Sequence, residues 1–198
     1  MKQKNRLQLF LQQVNIYNNE EIYEKLSDAK TSLSDAYTEL SDIKEDYIKM
    51  IHNHINMGNN KLKVVYDCGN GTTSIVADDI FNRFSDKLDL IPLFNTSDST
   101  FPNHHPDPAV EENLSILKTK VKEIGADVGV AFDGDGDRIG VIDSEGNSMT
   151  GDKLLLIYAT DLIESLKIHG ERPTVVSEVK CSQVLYDTID EWVSHLDV

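Results

Sequence analysis

Apolar positions in the first third of the chain recur with helical spacing: Ile22, Leu26, Ala29, Leu33, Ala36, Leu40, Ile43 and Tyr47 alternate in steps of four and three. Residues 1–57 contain neither Gly nor Pro, so nothing in them forces a break. The pattern predicts helix, either one continuous rod with a coiled-coil seam or two helices split at a Ser34-Asp35 N-cap. On spacing alone the stripe reads first as core packing, with a partner or subunit surface as its functional alternative.

The pattern changes at Gly58-Asn59-Asn60. Beyond it, short apolar runs alternate with amphipathic stretches, predicting strands at 62–66, 88–94, 127–132, 139–143 and 174–178. Between and after them the spacing predicts helices at 73–84, 110–124, 153–166 and 182–195. Such alternation implies a three-layer α/β/α domain with a mixed, mostly parallel sheet, preceded by the helical N-terminal segment. Only the turn at 133–138 is short enough to close an antiparallel pair. The expected divisions are a helical segment at 1–60, the α/β domain at 61–169, and the first strand and helix of a further domain at 170–198.

Composition narrows the function classes. The 198 residues carry a formal net charge of −15, which disfavours nucleic acid and anionic membrane as partners. No apolar stretch approaches a membrane span and no signal-peptide pattern is present, so a soluble, cytoplasmic chain is expected. Cys68 and Cys181 have no metal-site spacing and read as free thiols that pack as small apolar groups. Acidity is uneven: residues 1–60 hold nine acids against seven bases, whereas 127–152 hold seven acids and one strong base, Arg138.

That concentration centres on Asp133-Gly134-Asp135-Gly136-Asp137-Arg138, between the runs VGVAF and IGVID. Three carboxylates at alternate positions, separated by glycines, can converge on one point. Two bare charges ~5 Å apart repel by roughly 3 kcal/mol at an effective dielectric of about 20. A hard divalent cation removes that penalty, and all-oxygen ligation points to Mg²⁺, with Ca²⁺ or Mn²⁺ as substitutes. A calcium loop of the EF-hand kind is disfavoured, because it would need Gly where Arg138 stands, Glu where Ser144 stands, and helical flanks.

Other motifs are weaker. Asp67-Cys68-Gly69-Asn70-Gly71-Thr72 follows a strand and opens a helix; it reads as a tight turn before it reads as a phosphate cradle, since Gly-Lys-Ser/Thr is missing. His104 and His105 in NHHPDP read as loop hydrogen-bonding groups before metal ligands. Asp152 reads as a helix N-cap.

Together, VAFDGDGDRIGVID, VVYDCGNG before it, FPNHHPDPAVEEN between them and SEVKCS after resemble the second domain of the α-D-phosphohexomutases, within the phosphoglucomutase/phosphomannomutase branch, over roughly residues 61–190. The resemblance implies that Asp133, Asp135 and Asp137 ligate Mg²⁺, that Arg138 faces the active site, and that Lys180 in VKCS lies near the substrate; Arg138 and Lys180 are thus the expected catalytic and substrate-binding residues. It further implies transfer of phosphate between O6 and O1 of glucose or mannose phosphate through a phosphoserine and a bisphosphorylated sugar. The phosphoserine loop and the sugar-reading and phosphate-binding loops of the later domains have no counterpart in these 198 residues, so the chain reads as a fragment expected to be inactive alone. Two rival readings are a non-catalytic divalent-cation domain and a helical interaction module. Neither oligomeric state nor sugar preference follows from the sequence.

Overall fold

The computed structural model describes residues 2–169 and 174–194, and the side chains of residues 22–163 and 174–192. The chain forms two compact units, Met1–Asn56 and Met57–Val198.

The first unit is one α-helix, α1 (Lys2–His54, 53 residues), so the continuous rod is observed. Ser34 does not cap a second helix; its carbonyl accepts the Thr38 hydroxyl within an unbroken run. The expectation that the stripe packs as core is corrected, because Leu26, Leu33, Leu40 and Ile43 are all exposed.

In the second unit five strands form one sheet: β1 (Leu62–Asp67), β2 (Leu88–Leu93), β3 (Val128–Phe132), β4 (Ile139–Asp143) and β5 (Ser148–Met149), in the order β2-β1-β3-β4-β5. β1 pairs in parallel with β2 and β3, whereas β4 runs antiparallel to both β3 and β5. Only β4 therefore opposes the other strands, and the mixed, mostly parallel sheet is as expected.

Alternation along the strands sorts their side chains onto two faces. On one, Val65, Ala131 and Ile142 pack with Leu114, Leu117 and Val121, the last two from α3 (Ser115–Ile124). On the other, Tyr66, Leu90 and Phe132 meet Ala77 and Phe81 of α2 (Ala77–Asn82). This gives the α/β/α layering. α3 stops at Gly125, which takes φ +60°, a left-handed conformation that costs a glycine little.

Each of the two helices begins later than its spacing predicts, after a single turn of tighter helix at Thr72–Ile75 and Glu111–Leu114. β5 is too short to leave a periodic signal. Residues 174–178 are not a strand: they lie in no ladder, and Val175 packs instead against a second apolar cluster. That cluster joins Ala159 and Ile163 of α4 (Gly151–His169) to Leu185 and Ile189 of α5 (Gln183–Ser194), with Cys181 at its margin. Asp152 lies inside the first turn of α4 rather than capping it; its carboxylate accepts the Lys153 N–H at 2.9 Å and the Ser182 N–H at 3.1 Å, tying the start of α4 to the residue before α5. Residues 170–173, at the expected domain boundary, and His195 lie outside the described residues. Among the described residues no helix is long and apolar enough to cross a membrane.

Candidate functional site

Parallel neighbours β1 and β3 end at the same level, with Asp67 opposite Ala131, so the loops leaving them meet. The turn after β3 carries the three aspartates. One carboxylate oxygen from each of Asp133, Asp135 and Asp137 lies within 4.8 Å of the others; Asp133 is buried and the other two are exposed. The loop is short because β4 returns at once beside β3, and Gly136 takes φ +78° to make the reversal.

Arg138 braces this turn from its far end. Its backbone N–H and its Nε donate to the two oxygens of Asp133 at 3.0 and 2.8 Å, and its Nη1 donates to Asp107 at 2.8 Å. Burial pushes the Asp133 carboxyl up, but the Arg138 N–H and guanidinium, with a hydrogen bond from Asp137, outweigh it and hold the group down at about 2. Asp137 is shifted the other way, by its hydrogen bond to Asp133 and by the charges of Asp135 and Asp133. Charge crowding that makes Asp137 costly to ionise is relieved by a bound cation, and an all-carboxylate donor set fits a hard divalent ion.

The Asp67–Thr72 turn is the second support. A Cβ on Gly71 would sit 2.8 Å from the Gly134 carbonyl oxygen, so only glycine allows this approach of the two backbones. The Thr72 N–H donates to the same carbonyl at 3.0 Å. The other N–H groups of the turn are also spent internally: Gly69 on Asp67, Asn70 on Phe94 and Gly71 on Cys68. This favours the tight-turn reading over a phosphate cradle.

The NHHPDP segment is the third. His104 Nε2 lies 3.0 Å from Asp67 Oδ2, and its Nδ1 lies 3.0 Å from the His105 carbonyl. Both ring nitrogens face acceptors, so a proton sits in the Nε2···Oδ2 contact whichever atom holds it. Burial raises the Asp67 carboxyl, opposed by the Gly69 N–H and by His104. His105 turns away and packs edge-on to Phe101. The adjacent histidines thus diverge, and His104 serves as a hydrogen-bonding group.

The three expected metal ligands and Arg138 are therefore brought together. Lys180 is not in that cluster; it is exposed in the turn before α5, with Nζ 3.1 Å from Glu178. The sequence places Asp67 in the Asp67–Thr72 turn motif and Asp107 in the NHHPDP loop, without giving either the role of site support. Only the proximity of strand ends in the folded sheet reveals that role. Cys68 is buried behind the turn, and burial pushes its thiol up to about 12, as suits a packed, unreactive sulfur.

Comparison with known proteins agrees with this geometry. Residues 45–146 match the family model described as phosphoglucomutase/phosphomannomutase, alpha/beta/alpha domain II. The phosphomannomutase/phosphoglucomutase of Pseudomonas putida is 44% identical over 131 residues, which cover 66% of this chain and 27% of the relative. The phosphoglucomutase of Neisseria meningitidis serogroup A is 36% identical over 144 residues, covering 71% of this chain and 30% of the relative. A crystal structure of a phosphoglucomutase/phosphomannomutase family protein from Burkholderia thailandensis superposes with a TM-score of 0.69 at 34% identity, over 76% of this chain and 31% of that one. The chain spans about 30% of the length of these proteins. With its DGDGDR turn, its sheet and more than half its residues accounted for, the chain belongs to the phosphoglucomutase/phosphomannomutase family and carries that family's α/β/α domain II.

Proposed function

We propose that this chain is the metal-binding part of a cytoplasmic phosphohexomutase that interconverts hexose 6-phosphate and hexose 1-phosphate, with glucose or mannose phosphate as substrate. The observation that carries this reading is the convergence of three carboxylates within 4.8 Å, in the domain to which the family model corresponds. Asp133, Asp135 and Asp137 would hold Mg²⁺, which when bound neutralises charge on a phosphoryl group in a loose transition state. Asp133 is the fixed member, buried and oriented by two donors from Arg138. Asp135 and Asp137 stay exposed and complete the set from solvent. The Arg138 guanidinium, half exposed and anchored by Asp107 and Asp133, presents a cation beside that seat that suits a phosphate oxygen. Lys180 would join a substrate site completed by other parts of the enzyme. Residues 170–198 would begin the next domain, and the part of the 1–60 segment that precedes the domain II match at residue 45 would be a remnant of the first.

The test is a thermal melt of the chain with and without millimolar Mg²⁺, beside Asp135→Asn, with a coupled assay for glucose 6-phosphate formed from glucose 1-phosphate. The expected result is a Mg²⁺-dependent rise in Tm that the variant loses, and no turnover by the isolated chain. A rise unchanged in Asp135→Asn would remove the cation from this loop. Sustained turnover would show that the chain needs no further catalytic loops.

A further inference from the structure

Over residues 22–47, α1 presents an apolar stripe to solvent, with Leu33 at 72% exposure, Tyr37 at 75% and Leu40 at 64%. Its steps of four and three are those of a heptad seam, with Leu26, Leu33, Leu40 and Tyr47 at one core position and Ile22, Ala29, Ala36 and Ile43 at the other. The eight large apolar residues between Ile22 and Tyr47 are 46 to 75% exposed, which is on the order of 1,000 Å² per copy against the ~800 Å² per partner of a standard stable interface.

We propose that this face binds a second copy of the same chain, the two helices running antiparallel about a two-fold axis at the level of Ser34 and Asp35. Packing selects the direction. A parallel pair would stack leucine on leucine and then alanine on alanine, alternating bulges and voids along the seam. The antiparallel register sets Leu33 on the partner's Ala36, Leu40 on the partner's Ala29, Ile43 on the partner's Leu26 and Tyr47 on the partner's Ile22. The central layers then each join one large and one small residue, and the wider ones fall at the ends.

Charge favours the same direction on balance. In a parallel pair Lys25 would face the partner's Lys30, a like-charge contact at both edges that offsets the favourable contact of Glu39 with the partner's Lys44. In the antiparallel register Lys25 instead faces the partner's Asp46, and Lys30 faces the partner's Tyr37, whose ring accepts a cation. Ser34 and Asp35 point away from the seam, so polar residues at the centre cost nothing.

The test is sedimentation equilibrium of the 198-residue chain from ~1 to ~100 μM, a range that brackets a micromolar dissociation constant. The expected result is a monomer–dimer equilibrium. Leu33→Lys should leave a monomer whose helical circular dichroism and body melt are unchanged. Lys25→Glu should weaken dimerisation about tenfold, and adding Asp46→Lys should restore it by exchanging the charges. The direction is read separately from a spin label at Glu24→Cys in a Cys181→Ser background. At 1.5 Å per residue, antiparallel pairing places the two labels ~30 Å apart along the axis, whereas parallel pairing places them side by side. A monomer throughout the range, or a dimer that survives Leu33→Lys, would overturn the proposal. Tighter association of Lys25→Glu, or adjacent labels, would overturn the antiparallel register.

Discussion

Helix α1 and the α/β body both carry regularly spaced apolar residues, yet Leu33 stands 72% exposed in one and Leu117 is fully buried in the other. The difference lies in what supplies the mate. Leu117 lies on α3, which the chain returns across a sheet whose register is fixed residue by residue, so its apolar side has a designated surface. Leu33 lies on a helix whose unit contains no second element. Periodicity therefore identifies an element and its sticky face; only topology names what the face sticks to.

Truncation gives the strongest test of that contrast. Leu117→Ala should cost the body about 3–5 kcal/mol, since it removes buried methyl groups and leaves a cavity between α3 and Gly129, where even an added Cβ would meet Leu117 Cδ1 at 3.1 Å. Leu33→Ala should leave the urea midpoint of the body unchanged. Equal losses in the two variants would show that the units unfold as one and that the contrast is false.

Alkali should separate the two regions next. The Cys68 thiol ionises at an ordinary 9.0 when the chain is unfolded and at about 12 when folded, because burial raises it, helped by the charges of Asp67 and Asp78. The folded state thus holds the proton longer: this contribution is fully present below pH 9 and is lost as pH rises towards 12, up to ~4 kcal/mol in all. Tyr66, its neighbour on the α2 face, is raised as well, again by burial first, with its hydrogen bond to Asp78 second. Mass spectrometry after iodoacetamide treatment at pH 9 should find Cys181 modified and Cys68 intact until urea is added. Equal modification of both in the native chain would mean that the α2 side of the body is open.

How much of this was legible in the sequence follows the same division between local and distant causes. The turn that gathers the three aspartates was readable because everything that shapes it, glycine spacing and flanking alternation, lies within VAFDGDGDRIGVID. The β3–β4 hairpin followed from its short connection. Residues 174–178 read as a strand because TVVSE has strand composition, but the described sheet ends at β2 and β5, and Val175 found the α4–α5 cluster instead. Asp107 and Asp67 could not be read as supports, because their partners Arg138 and His104 are 31 and 37 residues away. Asp152 looked like a cap because the carboxylate that holds Ser182 is also beside a helix start.

The long-range Asp67–His104 contact yields a smaller effect, confined to the body. His104→Ala should cost about 1–3 kcal/mol, the penalty for a fully buried carboxylate oxygen left without a partner. His104→Gln, which can donate to the same oxygen, should recover part of it. Urea melts give the loss, and limited proteolysis within residues 101–110 should become faster in the alanine variant alone. No change in either would mean that the loop is held by Asn103 on Asn70 and by Asp107 on Arg138 without the histidine.

The smallest effect is a matter of sign. If Ser34 capped a second helix, Ser34→Ala would remove a side-chain acceptor from orphan N–H groups and cost about 1 kcal/mol. In the continuous α1 those groups already bond to carbonyls one turn back, and the hydroxyl has no such task. Alanine then only removes a side chain of lower helix propensity, a gain of roughly 0.5 kcal/mol. Amide hydrogen exchange in residues 30–40 should therefore slow slightly in Ser34→Ala, while peptides from the body exchange as before. The Ser34 carbonyl still receives the Thr38 hydroxyl, and position 34 faces away from the seam, so neither local bonding nor self-association confounds the comparison. Faster exchange on the C-terminal side of residue 34 would mean that the rod is two helices meeting at that serine, and a single straight seam would then lose its physical basis.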